Sequence, residues 1–262
     1  MPPGPDQATA AFFVRSLRRL KRERIDFLVG GAYALACHTG VERHTRDFDV
    51  FVRPRDVEAT LAALAPVCDR TELTFTHWLG KAYCGDRYID VIFNSGNGVC
   101  EVDDEWFDHA IDSTVFGQEV RLVPVEEMIW QKAFVMERER FDGADIAHML
   151  RASGQRIDWV RLLRRFRPHW RVLFAHLVLF GFVYPNERGA VPEGVIRSLS
   201  ERFQREAGAA PNGRYLCQGT LLSREQYLFD LEQWGYQDAR LLPPAQMSEE
   251  EIAEWTAAIA TR

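Results

Sequence analysis

Residues 30 to 52 read GGAYALACHTGVERHTRDFDVFV, and both ends of this stretch bear on the fold. The apolar run Ile25 to Val29 leads into Gly30-Gly31, which predicts a buried strand and a tight turn. Ala32 to His38 is small and helix-favouring, so a helix is expected straight after the glycines. Asp47 to Val52 then reads as a strand that is apolar on both faces except at its two aspartates. Alternate side chains of a strand share a face, so Asp47 and Asp49 point the same way. Aspartate is disfavoured in strands, and two like charges in partly apolar surroundings are expensive unless a cation neutralises them. Carboxylate ligands of this kind select hard cations, Mg²⁺ or Mn²⁺.

The same anomaly recurs at Asp90, inside YIDVIF, where every neighbour is apolar. If the strand Arg87 to Phe93 pairs beside Asp47 to Val52, Asp90 joins the other two carboxylates. Three such groups could hold two metal ions about 4 Å apart, an arrangement suited to in-line phosphoryl displacement. The plainer reading of Asp-x-Asp is a strand end in solvent, or aspartates paired with Arg43, Arg46 or Arg53. A Gly-Gly turn between strand and helix lets backbone N–H groups approach a triphosphate at a helix N-terminus, although glycines often simply make turns.

Working outward, residues 11 to 24 form an amphipathic pattern, with Phe13, Leu17 and Leu20 on one stripe and arginines around it. Arg55 to Val67 reads as a helix. Thr74 to Tyr83 and Arg87 to Phe93 read as a hairpin around Cys84-Gly85-Asp86, with a further strand pair between Ser113 and Val123. After Pro124, which suits the first position of a helix, the pattern turns mostly helical. Helices are expected over 125–140, 142–152, 157–165, 170–183, 192–207, 224–234 and 249–260. Ser223 with Gln226 and Ser248 with Glu251 have the spacing of capping boxes. The expected domains are 1–123, of mixed α/β character, and 124–262, helical.

Composition excludes several classes. Hydrophobic residues are 47% and charged residues 27% of the 262, which is globular rather than disordered. The net charge of −6 argues against a generic nucleic-acid coat protein. The best apolar run, Leu173 to Tyr184, is short of the roughly 20 residues of a membrane span, and the N-terminus lacks the pattern of a secretory signal. Five scattered cysteines form no C-x-x-C pair, so a reducing cytoplasmic location without disulfides or structural zinc is expected.

Glycine pair, short helix, Asp-x-Asp strand and later single Asp together resemble the nucleotidyltransferase (DNA polymerase β-like) superfamily. The finer pattern is similar to its AbiEii/AbiGii-type toxin branch, through Gly30, Gly31, Ala34, His38, Gly40, Arg43, Thr45, Asp47 and Asp49. A second motif resembles that branch through Lys132, Arg138 or Arg140, Asp142 and Asp145, after the lead-in LVPVEEMI. The resemblance spans residues 20 to 152. It implies an α+β fold: a nucleotidyltransferase-like mixed β-sheet flanked by helices, followed by a mainly helical C-terminal domain. It also implies transfer of a nucleoside monophosphate from a nucleoside triphosphate to an acceptor hydroxyl on RNA, protein or a small molecule such as an aminoglycoside or lincosamide. By carry-over, Asp47 and Asp49 bind two Mg²⁺ or Mn²⁺ ions and Asp90 holds the one that activates the acceptor. Gly30, Gly31, Arg43, Thr45 and Lys132 bind the nucleotide, with Arg138, Asp142 and Asp145 as a second motif. An antitoxin protein is among the implied partners.

Other readings stay open. The chain could be a non-catalytic nucleotide-binding sensor or partner module on the same fold, or could use the same motifs for hydrolysis. Lys132 could be a surface lysine, and Asp142 and Asp145 could pair with Arg138 or Arg140. His38 and His44 read as packing or hydrogen-bonding residues. Arg151, Arg156, Arg161, Arg164, Arg165, Arg167 and Arg171 read either as a solvated face or as a phosphate-binding surface for RNA.

Overall fold

Helix α1 (Gln7–Arg22) starts where the Asp6 side chain accepts the N–H of Thr9 at 2.7 Å. It buries Phe12, Phe13, Leu17 and Leu20 and leaves its arginines toward solvent, as its periodicity predicts. The computed structural model describes residues 6–43, 45, 47–210 and 215–258, so His44 and Arg46 lie outside the described residues.

Strand β1 (Leu28–Val29), helix α2 (Gly31–Thr39) and strand β2 (Asp47–Phe51) follow. Then come α3 (Val57–Leu64), β3 (Arg70–Phe75), β4 (Leu79–Cys84), β5 (Arg87–Ile92), α4 (Asp104–Asp108), β6 (Ile111–Val115) and β7 (Gln118–Leu122). The strands form one mixed seven-stranded sheet in the order β3-β4-β5-β2-β1-β7-β6. Strand β2 runs antiparallel to β1 and parallel to β5. Phe48, Val50, Ile89 and Val91 are buried in its centre. The Phe13 ring of α1 lies 5.0 Å from that of Phe48, which ties helix to sheet. Phe116 and Gly117 both have positive φ, 51° and 67°, as a two-residue type I′ hairpin between β6 and β7 requires.

The second half is helical: α5 (Val125–Ala133), α6 (Gly143–Ser153), α7 (Trp159–Arg165), α8 (Trp170–Val183), α9 (Glu193–Ala207) and α10 (Leu228–Glu232). A two-residue parallel pair, β8 (Leu216–Cys217) with β9 (Gln237–Asp238), frames α10. The chain forms two compact units, one from Val125 to Arg240, the other from the residues up to Pro124 with those from Leu241 onward. In the latter, α11 (Glu249–Ala257) is capped by the reciprocal Ser248–Glu251 box. Its Trp255 packs edge-on against Phe75 and Trp78, each 5.1 Å away. Gly96 admits that indole, because a Cβ there would come within 2.4 Å of it.

The expected fold class is the one observed; several element bounds are not. The helix expected over 125–140 ends at Ala133. Its terminal Ala133 carbonyl accepts the buried His176 Nε2–H at 3.0 Å, and the Met136 N–H is drawn to the Leu222 carbonyl at 3.1 Å. The strand expected over Thr74 to Tyr83 is broken by a turn at His77, so its two parts fall on β3 and β4. The helix expected over 224–234 shrinks to α10. Ser223 does accept the Gln226 N–H at 3.2 Å, but its hydroxyl donates to Glu137 and no helix starts there. Among the described residues no helix is long and apolar enough to cross a membrane.

Candidate active site

Parallel pairing of β2 with β5 sets Asp49 opposite Asp90 and Asp47 opposite Tyr88. Paired residues of adjacent strands lie about 5 Å apart on a common face, so this register carries Asp90 to the Asp47/Asp49 side of the sheet. One oxygen from each of Asp47, Asp49 and Asp90 lies within 4.8 Å of the others. All three carboxylates are half-buried. The condition set from sequence, that the Asp90 strand pair beside the Asp-x-Asp strand, is met.

The diglycine turn closes one side of this cluster. Gly30 caps α2 and donates its N–H to the Asp49 carbonyl at 3.0 Å. Gly31 adopts φ +56°, and a Cβ there would sit 1.5 Å from Asp49 Oδ2. Glycine is therefore required twice at this position, for its backbone and for the carboxylate beside it. The first-turn N–H groups of α2 have no partner within their own helix and point out of its N-terminus. Thr45 donates its hydroxyl to Asp47 Oδ1, which orients that carboxylate. Arg43 is exposed in the loop before β2. His38 is a hydrogen-bonding residue, its Nε2 2.9 Å from the Val123 carbonyl oxygen.

Arg53 does not neutralise the pair. Its Nη1 lies 2.8 Å from Asp26 Oδ2, its Nε bonds Asp104, and its guanidinium rests 3.6 Å over the Phe107 ring. A cation that reaches the cluster is Lys81, whose Nζ is 2.5 Å from Asp90 Oδ1. The sequence reading missed it, although a signal was present. A two-residue turn at Gly85-Asp86 fixes Cys84 opposite Arg87, and counting back three pairs puts Lys81 opposite Asp90.

Burial pushes the Asp90 carboxyl above its ordinary range; Lys81 opposes that and the Asp47 charge adds to it. Burial, then the charges of Asp47 and Asp49, push the Tyr33 hydroxyl up to about 12, so it stays protonated beside them. The donor set suits a divalent cation. It is all oxygen, anionic and convergent, which is the chemistry Mg²⁺ and Mn²⁺ take.

The second motif lies in the helical unit. Lys132 Nζ sits between Asp142 Oδ2 at 2.8 Å and Asp145 Oδ2 at 2.9 Å, and Arg140 bonds Asp142 through two nitrogens. Arg138 is exposed. Lys132 is thus a half-buried ammonium already held by two carboxylates rather than a solvated surface lysine. Burial works to raise the Asp142 carboxyl, but Arg140 and Lys132 outweigh it and hold the group down at about 2. The group's folded-state value is depressed below the ordinary 3.8, so its stabilisation is complete above that value and disappears as pH falls through about 2. Asp142→Asn is expected to lower unfolding free energy at pH 7 by about 2 kcal/mol. Urea unfolding across the pH range checks this, with the difference from wild type vanishing near pH 2.

In the arginine-rich segment Arg151, Arg156, Arg164, Arg167 and Arg171 are exposed, whereas Arg161 and Arg165 turn inward. Arg161 is buried with its Nη2 2.5 Å from Glu126 Oε2, and Arg165 donates to Glu127 at 3.2 Å. Burial pushes Glu127 up to about 7 against the pull of both arginines. Arg151 pairs with Glu187 and Arg171 with Glu206.

Among solved structures the chain is similar to a nucleotidyltransferase-like antigenic protein of Paracoccidioides brasiliensis, at 16% identity and TM-score 0.45 over 72% of this chain and 94% of that one. It is also similar to the antibiotic-resistance factor ANT(2'')-Ia, at 19% identity and TM-score 0.42 over 66% and 98%. The lincosamide antibiotic adenylyltransferase LnuA, bound to lincomycin, matches at 13% identity and TM-score 0.39 over 53% and 94%. No family model matches the sequence. No curated protein matches it either.

Proposed function

We propose that the chain is a nucleotidyltransferase of the superfamily its motifs resemble. In this reading it moves a nucleoside monophosphate from a nucleoside triphosphate to an acceptor hydroxyl with the help of divalent cations. The observation that carries this is the meeting of Asp47, Asp49 and Asp90 oxygens within 4.8 Å beside the Gly31 turn. Mg²⁺ or Mn²⁺, when bound by these three carboxylates, would supply positive charge at the phosphates and acidify the attacking hydroxyl.

The protein's own groups do the rest by position and charge. The open N–H groups at the start of α2 receive triphosphate oxygens, and the positive end of the helix favours them. Thr45 holds Asp47 in one orientation. The acceptor oxygen attacks the α-phosphorus, a new O–P bond forms, and the bond to the bridging oxygen breaks. Pyrophosphate leaves with that electron pair, and Asp90 takes the hydroxyl proton. Burial raises this carboxyl in the cation-free protein. Arg43 approaches the nucleotide from the exposed loop, and Lys132 belongs to the second motif of the same reading.

The acceptor is a hydroxyl of RNA, protein or a small molecule. The motif resemblance supports extending this reading to an antitoxin partner, and the scattered cysteines support a cytoplasmic setting. One observation favours a second reading: with Lys81 already on Asp90, the fold could bind nucleotide without transferring it.

One isotope experiment separates the two. The protein is incubated with Mg²⁺ and each nucleoside triphosphate, labelled at the α- or the γ-phosphate, with total RNA, protein extract or aminoglycosides. Transfer of α-label with γ-label released as pyrophosphate, lost in Asp47→Asn, supports the transferase. Tight binding without transfer to any acceptor supports the sensor.

A further inference from the structure

Lys81 stands outside every motif used above, yet it touches the cluster. It faces Asp90 across the β4–β5 pair, with side chains 19% and 14% exposed and Nζ 2.5 Å from Oδ1. The same Nζ lies 4.1 Å from the centre of the Tyr88 ring. Tyr88 is two residues before Asp90 on β5, so both side chains share one face of the sheet. The ammonium therefore has two adjacent seats, a carboxylate and an aromatic face, and it spans both.

We propose that Lys81 is a built-in competitor of the divalent cation at Asp90, an inference that rests on the metal-dependent reading given above. An ammonium and a divalent ion on one carboxylate repel each other strongly where water is scarce. Cation uptake at Asp90 therefore requires Nζ to leave Oδ1, and the Tyr88 face keeps the displaced ammonium partnered. Cation uptake at Asp90 thus waits on release of the lysine from Oδ1, which the negative charge of an arriving triphosphate favours. Lys81 is a positioning residue here, because it acts through Asp90.

The test is Mn²⁺ titration of the full chain at pH 7.5 without nucleotide, followed by isothermal calorimetry and by the spin-resonance signal of free Mn²⁺. Wild type is expected to take up Mn²⁺ weakly at Asp90. Lys81→Met is expected to tighten that uptake by about tenfold or more, since a neighbouring like charge is gone. Tyr88→Leu keeps the ion pair, removes the second seat, and is expected to weaken that same site further. It also answers the question if Lys81→Met does not fold. Equal Mn²⁺ affinity in wild type and either variant, with uptake still dependent on Asp47, overturns the role of Lys81 alone. Failure of wild type to take up any Mn²⁺ overturns the metal-dependent reading and this inference together.

Discussion

Asp49→Asn is expected to lower nucleotidyl transfer by at least about a thousandfold while leaving the circular dichroism spectrum unchanged. Asn preserves the shape of the side chain, and the Asp49 carbonyl still accepts the Gly30 N–H, so the strand and turn stay in place. What disappears is one negative oxygen from a three-oxygen cluster. The loss should be visible without any acceptor in hand. Mn²⁺ should raise the melting temperature of wild type, because a ligand bound only by the folded state stabilises it. That rise should vanish in the variant.

The second large effect is expected at Gly31→Ala. The residue sits at φ +56°, and its new methyl would meet Asp49 Oδ2 at 1.5 Å. Left-handed backbone at a non-glycine costs about 1 to 2 kcal/mol, and the carboxylate must also move. A displacement of about 1 Å in a catalytic group is enough for roughly a hundredfold loss of rate. Gly40→Ala is the matched control. Gly40 has φ +74° but nothing within 4 Å of its would-be Cβ. Both variants should lose similar stability to backbone strain, and only Gly31→Ala should lose transfer. Denaturant unfolding alongside the α-label assay distinguishes strain from displacement of the carboxylate.

The legibility of this site in the sequence follows from where its information is stored. Asp47, Asp49 and Asp90 announce themselves because a charge in an apolar strand is costly without a partner, and the third aspartate outweighs the plainer reading that Asp-x-Asp alone allows. The glycines are equally plain, since a strand running into Gly-Gly and then a helix admits few conformations. Lys81 was legible in principle, because a two-residue hairpin turn at Gly85-Asp86 sets Cys84 opposite Arg87 and, three pairs further along, Lys81 opposite Asp90. It was missed because lysine in a half-exposed strand is unremarkable until its cross-strand neighbour is counted. Arg53 shows the converse: it was plausible as a partner for Asp47 and Asp49, but Asp26 and Asp104, distant in sequence, claim it.

The remaining differences come from tertiary contacts that no local pattern encodes. Residues 134 to 140 have helical periodicity, yet the Ala133 carbonyl is capped by His176 and Glu137 is drawn to Ser223 and Arg224. The return of α11 to the sheet depends on Trp255 meeting Phe75, Trp78 and the bare backbone of Gly96. Its sequence announces a capped helix and says nothing of what that helix covers. Arg161 and Arg165 looked like surface charge because their partners, Glu126 and Glu127, lie more than thirty residues earlier.

The measurement that bears most directly on the site is anomalous diffraction from crystals grown with Mn²⁺ and a non-hydrolysable nucleoside triphosphate. Manganese peaks should lie about 2.0 to 2.2 Å from oxygens of Asp47 and Asp49, with Asp90 on the same cluster and phosphates at the start of α2. Peaks elsewhere, or the three carboxylates closed onto arginines with the nucleotide bound at another surface, would contradict the assignment.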